Sequence, residues 1–320
     1  MDSVLQSVES VRNGTALYLL LLTFASAGWL LVSAQRLLGG ESLATGVGLG
    51  VAAFGVVLLG STAAGLVLMD EARGHRPRHP LDALRAAPVP ALRLLAVVLT
   101  VLALAALLLA AVTALLWAAR LPGVGAGWLG VLVPVAVPLL GAAALVMVTL
   151  VGPIAAPAAW SGLGWRAILA MLWRQLRARP VHAVLLSAAV SLLSAAVAGL
   201  MSFVVLAGGR AFAALAVGVL ELPLAVPPFL SALFGMGFRV APGAPPLPEH
   251  TSAALTGAGL VFALGLVVPG AVYLRGLCEL FLALRRADDE TAAAETAAEE
   301  TAAAETAADA GAPSATAPPL

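Results

Sequence analysis

A chain of 320 residues that is 61 % hydrophobic and only 11 % charged is too apolar for a water-soluble fold. Soluble domains carry about 25 % charged residues, and one or two cores of this size cannot hide so much apolar surface. The formal net charge is zero, yet all 17 basic residues are arginine and eight of the 17 acids lie beyond position 287.

The expected fold is therefore all-α: a polytopic transmembrane helical bundle with interfacial amphipathic helices and a disordered tail. A bilayer core of about 30 Å needs about 20 apolar residues of helix. Six stretches meet that length: 15–34, 43–69, 92–119, 128–151, 181–207 and 253–274. Residues 1–14 hold Asp2, Glu9 and Arg12 and lack the basic region of a secretory signal. They are read as a cytoplasmic N-terminus, and the first span is expected to stay uncleaved despite its Ala25–Ser26–Ala27 triplet.

Between the spans, arginine alternates. Segment 70–93 carries Arg73, Arg76, Arg78, Arg85 and Arg93; segment 152–180 carries Arg166, Arg174, Arg177 and Arg179 and no acid. Arg275, Arg285 and Arg286 flank the last span, whereas 35–42, 120–127 and 208–252 hold one, one and two arginines. Cationic connections stay cytoplasmic, so six spans with both termini in the cytosol satisfy every loop. The composition points to a bacterial inner-membrane protein.

The second span contains Gly46 and Gly50, and the fifth a stripe of Ser187, Ser191, Ala195 and Gly199; both patterns suit close helix packing or self-association. Residues 152–180 include GWRAILAMLWRQLRAR, which places Trp165, Ile168, Leu169, Leu172 and Leu176 on one helical face and Arg166, Arg174 and Arg177 on the other, with Arg179 off-pattern. This reads as an in-plane interfacial helix. The long outer loop, 208–252, has an apolar part at 211–238 that contains Glu221, Pro223, Pro227 and Pro228. It reads as short helices in the outer leaflet or as a seventh span; the prolines and the placement of Arg285 and Arg286 favour the former. After the bundle of residues 15–286, the tail 287–320 contains the tandem decapeptides ETAAAETAAE and ETAAAETAAD. It has no apolar face to dock and is expected to be disordered and cytoplasmic.

One phrase occurs twice: LRAAPVPAL at 84–92 and LRARPVHAV at 176–184. Each puts arginine before a proline that opens an apolar helix, so each marks a break between an interfacial segment and a span. Arginine there reaches lipid phosphate while its stem stays in the apolar boundary. The order is amphipathic basic segment, span pair, GPIAAPAAWSGLGWRAILAMLWRQLRARP, then span pair ending in VYLRGLCELFLALRR. Over about residues 10–285 that layout resembles a six-span bacterial membrane-domain superfamily, whose members include the membrane domain attached to some glycerophosphodiester phosphodiesterases. The resemblance implies the six-span architecture. No phosphodiesterase catalytic domain is present, so it does not imply that activity.

The chain shows no HExxH, GxSxG, Walker A or GxGxxG motif. Pro77 separates His75 from His79 in HRPRH and prevents the helical turn that would aim both at one metal. His182, near Ser187 and Ser191, sits at the second proline junction, where capping or headgroup contact explains it. The lone Cys278 allows no intrachain disulfide. No enzyme activity, cofactor or metal is expected. Candidate lipid-headgroup contacts are Arg85, Arg166, Arg174, Arg177 and Arg179. Glu221, Arg275 and Glu279 are candidates for a polar pathway, with Arg275 and Glu279 spaced for an ion pair on one helix face. The expected partners are anionic headgroups on the cytoplasmic side, with a second copy or another membrane protein as an option and no nucleic acid. Two functions remain open: a noncatalytic, lipid-interacting or regulatory membrane protein, or a transporter or channel for a small or lipid-like solute.

Overall fold

The computed structural model describes residues 13–38, 42–120, 125–178, 180–220 and 249–310, and every described element is helical. In chain order these are α1 (Gly14–Leu38), α2 (Leu43–Ala72), α3 (Pro80–Ala86), α4 (Pro88–Ala118) and α5 (Gly125–Val146). A π-helical turn (Met147–Val151) leads into α6 (Gly152–Trp160), followed by α7 (Trp165–Ala178), α8 (Pro180–Leu220), α9 (Glu249–Gly265) and α10 (Val267–Ala310). Among the described residues, six stretches are long and apolar enough to cross a membrane: Gly14–Ala34, Leu43–Ala72, Pro88–Ala118, Gly127–Trp160, Val184–Leu215 and Gly257–Glu290. Helix is what lipid demands, because no water satisfies backbone groups there. The chain divides into two compact units, Met1–Leu280 and Phe281–Leu320.

Local chemistry sets the helix ends. Asn13 caps α1, its Oδ1 accepting the Ala16 N–H at 3.2 Å. Helix α2 closes with Gly74 at φ 75°: the His75 N–H reaches the Asp70 carbonyl and the Gly74 N–H that of Glu71, both at 2.9 Å. Helix α6 closes the same way, with Gly162 at φ 94°, Leu163 bonded to Ala158 and Gly162 to Ala159. A side chain at either glycine would strain this left-handed cap. The repeated phrase acts as expected at its first copy: α3 ends at Ala86, Ala87 intervenes, and Pro88 opens α4. At the second copy α7 ends at Ala178 and Pro180 opens α8. The π-helical turn sits directly before Pro153, whose missing N–H and bulky ring disturb the preceding carbonyls.

Packing in the first unit is uneven. Helices α1 and α2 form the most extensive pair, and α9 lies against α1. Half of the most apolar stretch of α2 is buried, against 6 % for α4 and 11 % for Gly127–Trp160. Helices α4 and α5 therefore turn most of their side chains away from the rest of the unit, while α2 sits at its centre. Two glycines let α2 serve as that centre: a Cβ at Gly60 would overlap the Thr23 side chain, and one at Gly65 would overlap the Trp160 ring. Gly50, by contrast, has open space around it, so close approach falls further along α2 than the Gly46–Gly50 pattern implies.

Several expectations change. Of the Ser187–Ser191–Ala195–Gly199 stripe, only Ser187 packs within the described residues of the chain. Ser191, Ala195 and Gly199 are exposed; Ser187 and Val190 are buried, and Ser194 donates to the Pro269 carbonyl at 3.3 Å. Large Val190 fills the notch over Gly276, so shape complementarity replaces small-on-small contact. Helix α8 also runs on to Leu220, where a break after 207 was expected, because nothing before Pro223 interrupts it. The remainder of 211–238, including Glu221, lies outside the described residues, as does Arg179. In the second unit the helix continues to Ala310, where sequence pattern alone suggests no fixed structure. Alanine and glutamate are strong helix formers, and extending an existing helix avoids the cost of nucleation.

Candidate functional site

Charged groups of the first unit gather at one end of its helices. Glu71, in the last turn of α2, accepts the Asn13 amide N–H at 2.6 Å. The Arg275 guanidinium on α10 lies 3.9 Å from that same carboxylate, 2.9 Å from Glu279 Oε1, and donates to the Leu68 carbonyl at 3.2 Å. Arg275 and Glu279 are only 12 % and 14 % exposed, so their attraction acts in a low-dielectric setting. One arginine thus joins α10 to the end of α2 and, through Glu71 and Asn13, to the start of α1. A second pair, Arg78–Asp70 at 2.6 Å, folds the following loop back over the α2 cap. With Arg78 44 % exposed, this pair is screened. Arg78→Ala is expected to cost at most about 1 kcal/mol, with the deficit in thermal unfolding shrinking at high salt.

The two arginine-rich connections meet at this end. Arg93, in the first turns of α4, donates to the Gly162 carbonyl at 2.9 Å, tying the third span to the turn before α7. Trp160 lies over Gly65, one to two turns before Asp70 and Glu71. Asn13, Glu71, Arg93, Gly162 and Arg275 therefore mark one common end of the spans. Arg285 and Arg286 belong to the second unit.

Helix α7 lies across this end, against α4, α6, α8 and the π-helical turn. Its inward residues are Ile168, Leu172 and Gln175, one helical row. The expected apolar face is thereby rotated. Trp165 is 40 % exposed and shares the outer side with Trp173, 56 % exposed, and with Arg166, Arg174 and Arg177. The Arg166 guanidinium stands 5.2 Å from the Trp165 ring, and that of Arg177 4.5 Å from the Trp173 ring.

A shallow cleft lies further along the spans, lined by Met201, Ser202, Val205, Phe262, Gly265 and Pro269 among others. It follows the α9–α10 break. Pro269 has no N–H, so the Gly265 carbonyl loses its usual helical donor. Leu266 makes the turn, its N–H reaching Phe262 and Ala263.

The candidate residues thus separate. Arg275 and Glu279 come together, but in a clamp with Glu71 and the Leu68 carbonyl, and neither lines the cleft. Arg85, on α3, and Arg166, Arg174 and Arg177, on α7, are exposed. Asn13, Asp70, Glu71 and Trp173 were not singled out from sequence. Asn13 had a readable signal, an amide just before an apolar run. Asp70 and Glu71 had one too, as the only acids where the second span enters a basic loop. Comparison with known proteins returns no match, whether to family models, curated proteins or solved structures.

Proposed function

We propose that this is a noncatalytic protein of the bacterial cytoplasmic membrane, with both termini in the cytosol, whose arginine-rich end engages anionic lipids or a membrane-protein partner. The observation that carries this reading is the Arg93–Gly162 bond. It supports a common side for the two cationic connections, as a charge-determined topology requires. Moving either connection across hydrocarbon would cost several kcal/mol per guanidinium (about 2.5–3.5 on insertion scales). The same layout underlies the likeness to the six-span membrane domains, and we propose the relationship on layout alone.

Reporter fusions test the topology. Fusions at His75 and Trp165 are expected to read cytoplasm and one at Pro245 the outside; a cytoplasmic signal at Pro245 would overturn the orientation.

A second reading, transport of a small or lipid-like solute, draws on the cleft at the α9–α10 break, since interrupted helices at membrane depth line solute sites. Solute flux in proteoliposomes that is lost on Ser202→Leu would favour it over the first reading.

A further inference from the structure

The outward side of α7 carries chemistry that the fold itself does not use. Three arginines at this end are consumed internally: Arg78 by Asp70, Arg275 by Glu71 and Glu279, and Arg93 by the Gly162 carbonyl. Arg166 and Arg177 instead rest on the exposed indoles of Trp165 and Trp173, with no carboxylate at ion-pair distance among the described residues. No acid occurs anywhere between residues 152 and 220.

Stacking on an indole holds the guanidinium plane but leaves its edge N–H groups unsatisfied. Those edges match phosphate oxygens in paired, charge-assisted hydrogen bonds. Tryptophan adds depth, since its ring settles at the level of lipid headgroups. The face is also rigid. Ile168, Leu172 and Gln175 are buried on its inner side, and the turn before it is held by Arg93.

We infer that the outer face of α7 is a docking surface for the phosphates of anionic phospholipids, with Trp165–Arg166 and Trp173–Arg177 as two pre-stacked contact points. The inference rests on the proposed lipid-engaging end and names its element and partner. Charge complementarity selects the occupant: an acid-free cationic helix beside six membrane-crossing stretches meets anionic headgroups first.

The test uses the full chain in phosphatidylcholine vesicles containing small amounts of brominated phosphatidylglycerol or brominated phosphatidylcholine, with tryptophan quenching as the readout. Comparison with the Trp165→Phe/Trp173→Phe variant isolates the α7 signal. The wild-type α7 signal is expected to be quenched at a roughly 25-fold lower fraction of the anionic lipid than of the zwitterionic one. Each arginine contributes about fivefold, the equivalent of about 1 kcal/mol per surface cation. Arg166→Gln/Arg177→Gln, at exposed positions, is expected to keep the thermal unfolding of the wild type and its quenching by the zwitterionic lipid while losing the preference. Raising salt should weaken the preference in the wild type. Equal quenching by the two lipids, or a preference that survives the double glutamine variant, overturns the inference. So does crosslinking of this face to an acidic membrane protein in cells with no headgroup preference in vesicles. The measurement does not depend on sidedness, so it can fail while the reporter topology holds, and the reverse.

Discussion

Arg275→Ala is expected to destabilise the protein by about 3–5 kcal/mol, the usual cost of removing one partner from a buried ion pair. The guanidinium neutralises two carboxylates, Glu279 at 2.9 Å and Glu71 at 3.9 Å, and satisfies the Leu68 carbonyl. Deleting it takes from Glu279, 14 % exposed, its partner at 2.9 Å. Glu279→Ala should cost less, because Arg275 keeps Glu71 and the carbonyl. Replacing both by leucine should recover most of the loss, since an apolar pair carries no desolvation penalty. Unfolding of the purified protein in mixed micelles, followed by circular dichroism, ranks the variants. A single Arg275→Ala variant as stable as wild type would show that the clamp contributes nothing to stability.

Gly65→Ala is expected to be the next most damaging change, at about 1–3 kcal/mol for an overpacked site. A Cβ there would collide with the six-membered part of the Trp160 ring, which is 5 % exposed and has no free side to move toward. The indole Nε1 is already buried without a hydrogen-bond partner, as is Thr62 Oγ1 one turn earlier on α2. The contact is thus held by shape alone. Trimming the intruding ring should relieve the strain, so Gly65→Ala/Trp160→Leu is expected to be more stable than additivity of the two single variants allows. A double variant equal to the sum would mean that residue 65 and the indole do not compete for space.

The spans were readable because hydrocarbon thickness and backbone satisfaction leave one solution, and because arginine marks the ends cheaply. The proline junctions at 88 and 180 were readable for a similar reason: proline acts through its own ring, whatever surrounds it. What escaped depends on partners distant in sequence. The spacing of Arg275 and Glu279 suggested their pairing, but nothing local announces that Glu71 and Asn13 complete the set. The rotation of α7 escaped because amphipathic pattern separates apolar from charged, whereas Trp173 sides with the arginines. Gly65 looked like any other small residue until Trp160 was brought over it. In the small-residue stripe of α8, spacing alone could not say which members meet the chain's own helices, and the contacts within the chain lie at Ser187, Val190 and Ser194.

Helix α8 spans 41 residues, from Pro180 to Leu220. At 1.5 Å per residue it is about 60 Å long, twice the hydrocarbon thickness of about 30 Å. Its first exposed charge after Val184 is Arg210, so the uncharged part measures about 39 Å. Reconciling that length with the bilayer takes a slant of about 40°, the upper end of what membrane helices adopt, or a locally thickened membrane. A shift to shorter acyl chains is therefore expected to steepen that slant or to raise the cost of the mismatch.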